Sequence, residues 1–254
     1  MPNILESDYL KIRDALIAIS DDMPILVCGH NDVDADCIGA VNALVLFLRK
    51  LGKKAFALMD KGELVAHPWF HPGAYVVDKF ENSADSYVFI MLDSNRQRRL
   101  NKAFTHYFDD ASFTINIDHH ENNQGESDLI WAVSECSSTC ELLCHLLFSF
   151  DVDLDSDIAA LLYTGIVSDT MGFAINNVTE ETFLACSRLL KYEIDTNQII
   201  RNVLLEHSLE ELNTLQHLLA GIQFDEFHYI IIDANLPYFK TLKTTAMLKS
   251  ILLL

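Results

Sequence analysis

An imidazole and two carboxylates, His30, Asp34 and Asp36, share one loop directly after a short apolar run at residues 25–28. In extended or turning backbone Asp34 and Asp36 can face two different ions, whereas His30 and Asp34 can converge on one. Hard divalent cations favour carboxylate oxygen, and an added imidazole moves the preference toward Mn2+, Fe2+ or Zn2+. The same residues also fit a plainer role, with the acids capping the helix that starts near Ala35 and His30 on the loop surface. Three later stretches favour the ions. Residues 87–92 form an apolar run that ends at Asp93, and residues 113–117 form another that ends at Asp118, His119 and His120. A helical stretch from Ala159 runs into Asp169 and breaks at Gly172. Acids at the ends of buried parallel strands stand where open α/β sheets bind ligands. Four separate segments that converge on carboxylates and imidazoles are far rarer by chance than any one of them.

Positioning such residues calls for a strand-helix alternation, and the pattern supplies one. Expected strands cover residues 25–28, 55–59, 74–77, 87–92 and 113–118, with a crossing helix over 35–51 and another over 138–148. Ser138 and Glu141 have the spacing of a capping box for the latter. Ser7 is expected to cap a first helix that carries Leu10, Ile12, Leu16 and Ile19. Residues 62–73, with His67 and His71 among prolines, read as irregular loop. From about residue 155 the pattern turns helical, with helices over 157–166, 179–191, 196–205 and 209–222, then a strand over 227–232 and a helix over 236–254. The fold class expected is α/β: a doubly wound, mainly parallel sheet flanked by helices, with a helical segment and a short C-terminal α/β remnant.

The 254 residues, half of them hydrophobic, can bury a substantial core. A formal charge of -19 argues against a long nucleic-acid groove, whose affinity comes largely from Lys and Arg. A small anionic substrate gripped locally fits better. Six cysteines point to a reducing, cytoplasmic setting rather than a disulfide scaffold. Cys28 and Cys37 flank the first loop but read as packing residues, and Cys136, Cys140 and Cys144 read as a buried helix face rather than a zinc site. The first twenty or so residues lack a signal peptide's apolar core, and no apolar run approaches the roughly 18 residues of a membrane span.

These residues resemble the DHH phosphoesterase family. The pattern His-x-x-x-Asp-x-Asp-x-x-Gly from His30 to Gly39, the strand-end Asp93, the Asp118-His119-His120 signature and Asp-Thr-x-Gly-Phe from Asp169 to Phe173 occur in the family's order. In detail they are most similar to the branch that hydrolyses nanoRNA and 3′-phosphoadenosine phosphate (pAp). Val33 stands where the family often has proline, and Ala40 where serine often follows the glycine. The resemblance implies two divalent ions, Mn2+ by the family's habit. His30, Asp34 and Asp93 would hold one, and Asp36, Asp93, His119 and Asp169 the other, with Asp93 bridging. It further implies two-metal hydrolysis, in which ions about 3.5 to 4 Å apart generate hydroxide and stabilise charge on phosphorus. His120 would bind phosphate or protonate the leaving oxygen, Asp118 would orient a ligand histidine, and Arg96 would contact substrate.

The expected substrate is a short oligonucleotide, pAp, or a cyclic or linear dinucleotide. Inorganic pyrophosphatase and a non-catalytic metal-binding remnant are the alternatives. The first domain is expected over residues 1–205, with a linker helix and a truncated start of the substrate-binding lobe over 206–254. Family members usually continue into a Gly-Gly-Gly-His lobe. Here the last glycine is Gly221, so the chain reads as a fragment of a longer protein or as one with a reduced lobe. A homodimer is compatible with this reading, and no membrane partner is expected.

Overall fold

The computed structural model describes residues 6–81, 86–123, 125–206, 209–220, 223–224 and 230–231. The chain divides into two compact units, Met1–Val203 and Leu204–Leu254. In the first, six strands form one sheet: β1 (Pro24–Cys28), β2 (Lys54–Leu58), β3 (Val76–Val77), β4 (Val88–Leu92), β5 (Phe113–Asp118) and β6 (Leu129–Ala132). Their order is β3-β2-β1-β4-β5-β6 and every neighbouring pair is parallel. The chain winds outward from β1 in one direction and from β4 in the other, which opens a crevice at the carboxyl ends of β1 and β4.

The strand sequences explain their position. Every residue of β1 and of β4 is buried, as expected for parallel strands covered on both faces. Leu26, Cys28, Phe89 and Met91 point to one face and pack with Leu100, Phe104, Tyr107 and Phe108. The alternate side chains, Ile25, Val27 and Ile90, are fully buried too. On their face lies α2 (Ala35–Lys50), which touches both strands. Packed against α2 are α4 (Thr139–Leu147) and α5 (Ser156–Asp169). The doubly wound α/β expectation therefore holds.

Several local expectations need correction. Ser7, expected as a cap, lies inside α1 (Glu6–Ala18). The edge strand β6 and the short helix α3 (Thr105–Asp109) have no counterpart in the sequence reading. β6 is four residues long, an all-apolar Leu-Ile-Trp-Ala in which only Trp131 is buried, and so short a run shows no period. The helix expected over 179–191 is α6 (Glu180–Leu189) plus a 3-10 turn, and that over 196–205 is α7 (Thr196–Ile200) followed by a π-helical turn.

In the second unit α8 (Leu209–Ala220) matches the expected linker helix, and β7 (Gln223–Phe224) pairs antiparallel with β8 (Ile230–Ile231). The helix expected from residue 236 lies outside the described residues.

α2 and α5 come close because Gly39 faces α5. A Cβ on Gly39 would sit 2.5 Å from the Leu161 carbonyl oxygen and 3.1 Å from Cys140 Sγ. Alanine normally gains about 1 kcal/mol over glycine inside a helix, but overpacking against a backbone atom costs about 1–3 kcal/mol, so the steric effect wins. Gly39→Ala is expected to lower the urea unfolding midpoint by the equivalent of up to about 2 kcal/mol. A raised midpoint would contradict this packing.

Candidate metal centre

The sheet brings the strand-end acids together. His30 follows β1, Asp93 follows β4, and Asp118 ends β5, three adjacent strands. Asp93 takes a left-handed backbone, φ 54°, and its N–H donates to the Ile117 carbonyl at 3.1 Å. A non-glycine residue held there is strained, and such strain collects at functional sites.

Asp93 is the hub. Its Oδ2 lies 3.2 Å from His30 Nε2, and its Oδ1 lies 3.4 Å from His119 Nε2. His119 Nε2 is also 3.2 Å from Asp169 Oδ2, at the last residue of α5. On the other side, His30 Nε2 is 3.8 Å from Asp34 Oδ1. Donor atoms of Asp36, His119 and Asp169 lie within 4.8 Å of one another, and so do those of Asp93, His119 and His120. A third set joins His30, Asp93 and the Cys37 thiol.

The plainer reading of Asp34 is also correct. Its Oδ1 accepts the Cys37 N–H at 3.0 Å as the N-cap of α2. Capping and presenting an oxygen to the His30 side are compatible, since a carboxylate has about four lone-pair directions.

The donor chemistry suits cations. His30 Nδ1 lies 2.6 Å from the Asn31 carbonyl, and His119 Nδ1 lies 3.4 Å from that of Cys136. Each Nδ1 is thus placed to donate, and a ring that holds only that proton presents an Nε2 lone pair toward carboxylate oxygens. Lone pairs facing one another repel unless a cation or a proton lies between them. His119 Nε2 is buried and, among the described residues, makes no hydrogen bond despite its two carboxylate neighbours. Bonds of about 2.0–2.2 Å at right to tetrahedral angles separate donor atoms by about 3 to 3.5 Å, the spacing found around Asp93. The residues fit divalent-metal coordination.

The metal-free electrostatics carry the same message. Burial opposes charging His119, yet Asp169 and Asp93 outweigh it and hold the imidazole pKa up to about 12. Burial likewise opposes the charge on His30, and Asp34 and Asp93 raise its pKa well above the usual range. Asp93 is pushed up by burial but drawn well below the carboxylate range by His119 and His30. Asp36 is pushed well up, by burial first and then by Asp93 and Asp169. For Asp169, burial outweighs the help of His119 and the net direction is up. The cluster thus draws in protons to balance its acids, the place that metal charge would take.

Asp36 is fully buried and gripped by the start of α4. Its Oδ2 accepts the Thr139 N–H at 2.8 Å and its Oδ1 the Cys140 N–H at 3.0 Å. Asp118 holds His120 rather than the ligand histidine expected from sequence: His120 Nδ1 to Asp118 Oδ1 is 2.7 Å. Asn123 donates to the other Asp118 oxygen at 2.9 Å. His120 Nδ1 is also 3.6 Å from Asp93 Oδ1, and its side chain keeps 31% of its exposure. Arg96 lies at the start of the 3-10 turn Gln97–Arg99 after Asp93, and its guanidinium makes no hydrogen bond or ion pair among the described residues.

Sequence reasoning missed four residues that shape this site. Thr139 Oγ1 donates to Asp93 Oδ1 at 3.1 Å. Asn177 donates to the carbonyls of Ser137 and Asp169 at 2.9 and 3.3 Å. Cys37, set aside as packing, joins the His30 group, where burial followed by Asp93 and Asp34 keeps its thiol pKa well raised. His67, read as a loop residue, is buried with Nε2 2.9 Å from the Val33 carbonyl and so braces the first loop. Nothing in their spacing marks these residues. The Cys136, Cys140 and Cys144 series forms no metal-capable group among the described residues.

The chain is similar to known proteins. An uncharacterized protein of Mycoplasma pneumoniae is 28% identical over 71% of this chain and 55% of its own length. The Thermus thermophilus bifunctional oligoribonuclease and PAP phosphatase NrnA is 25% identical over 84% of this chain and 63% of its own. The chain thus spans a little over half the length of these relatives. An exopolyphosphatase-related protein from Bacteroides fragilis has the same fold, with a TM-score of 0.74 at 23% identity over 88% of this chain and 68% of its own. The profile of the DHH family N-terminal domain matches residues 24–166, the sheet and helices that carry the cluster. With the His30, Asp93 and Asp118-His119-His120 segments all inside that match or at its strand ends, the chain belongs to the DHH family.

Proposed function

We propose that this chain carries the metal centre of a two-metal phosphoesterase acting on short oligonucleotides, pAp, or cyclic or linear dinucleotides, with Mn2+ as the resident ion. The observation that carries this reading is Asp93, whose two oxygens face two different histidines, His30 and His119. The Thermus thermophilus relative, named for oligoribonuclease and PAP phosphatase action, supports the substrate class. Carboxylates mixed with imidazoles suit Mn2+ better than softer ions.

His30, Asp34 and Asp93 would hold one ion, and Asp36, Asp93, His119 and Asp169 the other. When bound, two divalent ions supply a nucleophile at neutral pH and offset charge that builds on phosphorus. Asp118 accepts the Nδ1 proton of His120, which fixes the tautomer and leaves Nε2 to meet a phosphate oxygen or to pass a proton to the leaving oxygen. Arg96 supplies a planar guanidinium for substrate phosphate. Burial of Asp36 and Asp93 keeps bulk water from screening the ligands. Residues 1–205 carry this chemistry, and 206–254 lead into a substrate-binding lobe. Among the described residues no helix is long and apolar enough to cross a membrane. Six buried free thiols accord with a reducing, cytoplasmic setting.

Mn2+ at a hundred times its Kd stabilises by about 2.7 kcal/mol per site. For a chain of this size that corresponds to a rise in Tm of about 5–10 °C for each site filled. Differential scanning fluorimetry is expected to show the rise for the wild-type protein and to lose most of it for Asp93→Asn. Equal shifts for the two proteins would contradict the hub role of Asp93.

Turnover measured in Mn2+ with pAp, a linear dinucleotide, a cyclic dinucleotide and pyrophosphate decides the substrate. Hydrolysis of one of the first three is expected, with kcat falling about 10²–10⁴-fold in His120→Asn. Hydrolysis of pyrophosphate alone would replace this reading with a pyrophosphatase. Metal uptake without any turnover would leave a binding remnant.

A further inference from the structure

Thr139 is fully buried at the first position of α4, and it touches both halves of the candidate centre. Its N–H donates to Asp36 Oδ2 at 2.8 Å and its Oγ1 donates to Asp93 Oδ1 at 3.1 Å. A carboxylate only accepts, so the hydroxyl proton lies on the line to Asp93. Asp93 Oδ1 is the oxygen that faces His119, while Oδ2 faces His30. The Thr139 hydroxyl therefore fixes the torsion that sends one oxygen to each histidine.

We infer that Thr139 is a positioning residue that sets the bridging carboxylate for two ions, acting through Asp93 without touching metal or substrate. This rests on the metal-centre reading proposed above.

The surroundings hold Thr139 rigidly enough for that task. Ser138 caps α4 by accepting the Glu141 N–H at 3.0 Å. The expected return arm of the capping box shifts by one residue: Glu141 Oε2 accepts the Ser137 N–H at 3.2 Å and the Ser137 hydroxyl, instead of the Ser138 N–H. The same oxygen accepts the Thr182 hydroxyl at 2.8 Å, which ties α4 to α6. Gly165 lets α5 press onto this point, since a Cβ there would lie 2.3 Å from Cys140 Sγ and 2.5 Å from Asp36 Oδ1. With α4 immobilised from three sides, the hydroxyl has one place to donate. Groups that orient metal ligands in this manner typically change metal affinity 10–100-fold when removed.

Thr139→Val keeps the shape and the backbone N–H to Asp36 and deletes only the hydroxyl. Thr139→Ser keeps the hydroxyl and deletes a methyl. Isothermal titration of metal-free protein with Mn2+ is the readout, with circular dichroism to confirm folding. Thr139→Val is expected to bind Mn2+ about 10–100-fold more weakly, and Thr139→Ser to bind within about threefold of wild type, well inside that range. Thr139→Ala gives the same reading should the valine variant not fold. At saturating Mn2+ the substrate KM stays at the wild-type value, because Thr139 meets no substrate. Wild-type affinity in the valine and alanine variants would overturn the inference, as would a serine variant as weak as the valine one. Wild-type protein that takes up no Mn2+ would overturn the metal-centre reading, and the role of Thr139 with it.

Discussion

Like charges about 4 Å apart repel by about 4 kcal/mol in a medium typical of protein surfaces, and more in its interior. This chain nonetheless buries Asp36 and Asp93 and places Asp169 against the same imidazole that Asp93 meets. A protein of ordinary stability does not tolerate such a cluster unless positive charge arrives with it. In the metal-free protein His30 and His119 supply that charge by holding protons far above their usual range. Everything else about the first unit follows from the need to gather these acids and to keep them gathered.

The parallel sheet does the gathering. Neighbouring strands lie about 4.8 Å apart, so residues that leave the carboxyl ends of β1, β4 and β5 start within reach of one another. Uniformly apolar strands can be covered by helices on both faces, which moves the acids out of the sheet to its rim. There α2 begins on Asp34, α4 begins against Asp36, and α5 ends on Asp169. Two helix N-termini add partial positive charge beside the acids, and α5 contributes its last residue as a further carboxylate. The same geometry leaves His120 more open than His119, bonded to Asp118 and with its Nδ1 3.6 Å from Asp93 Oδ1.

Much of this was legible in the sequence because polar residues at the ends of apolar runs are conspicuous. His30, Asp34, Asp36, Asp93, His119 and Asp169 all stand out in that way, and the structure gathers them. What stayed hidden depends on distance along the chain. The Thr139 hydroxyl bond to Asp93 joins residues in different elements, and a threonine after two serines looks like any helix start. His67 reaches the Val33 carbonyl from a proline-rich loop that has no period to read. Asp118 was expected to orient a ligand histidine, but turn geometry after β5 gives it the next histidine along. β6 escaped notice because its four apolar residues, Leu129 to Ala132, make too short a run to show a period.

We propose that one carboxylate, Asp93, joins two cations. Low-temperature electron paramagnetic resonance of the protein loaded with two equivalents of Mn2+ is the measurement, because a bridging ligand lets the two spins couple by exchange. The spectrum of an exchange-coupled Mn2+ pair is expected in the wild-type protein, replaced by that of isolated ions in Asp93→Asn. Isolated Mn2+ in the wild-type protein at full loading would contradict it.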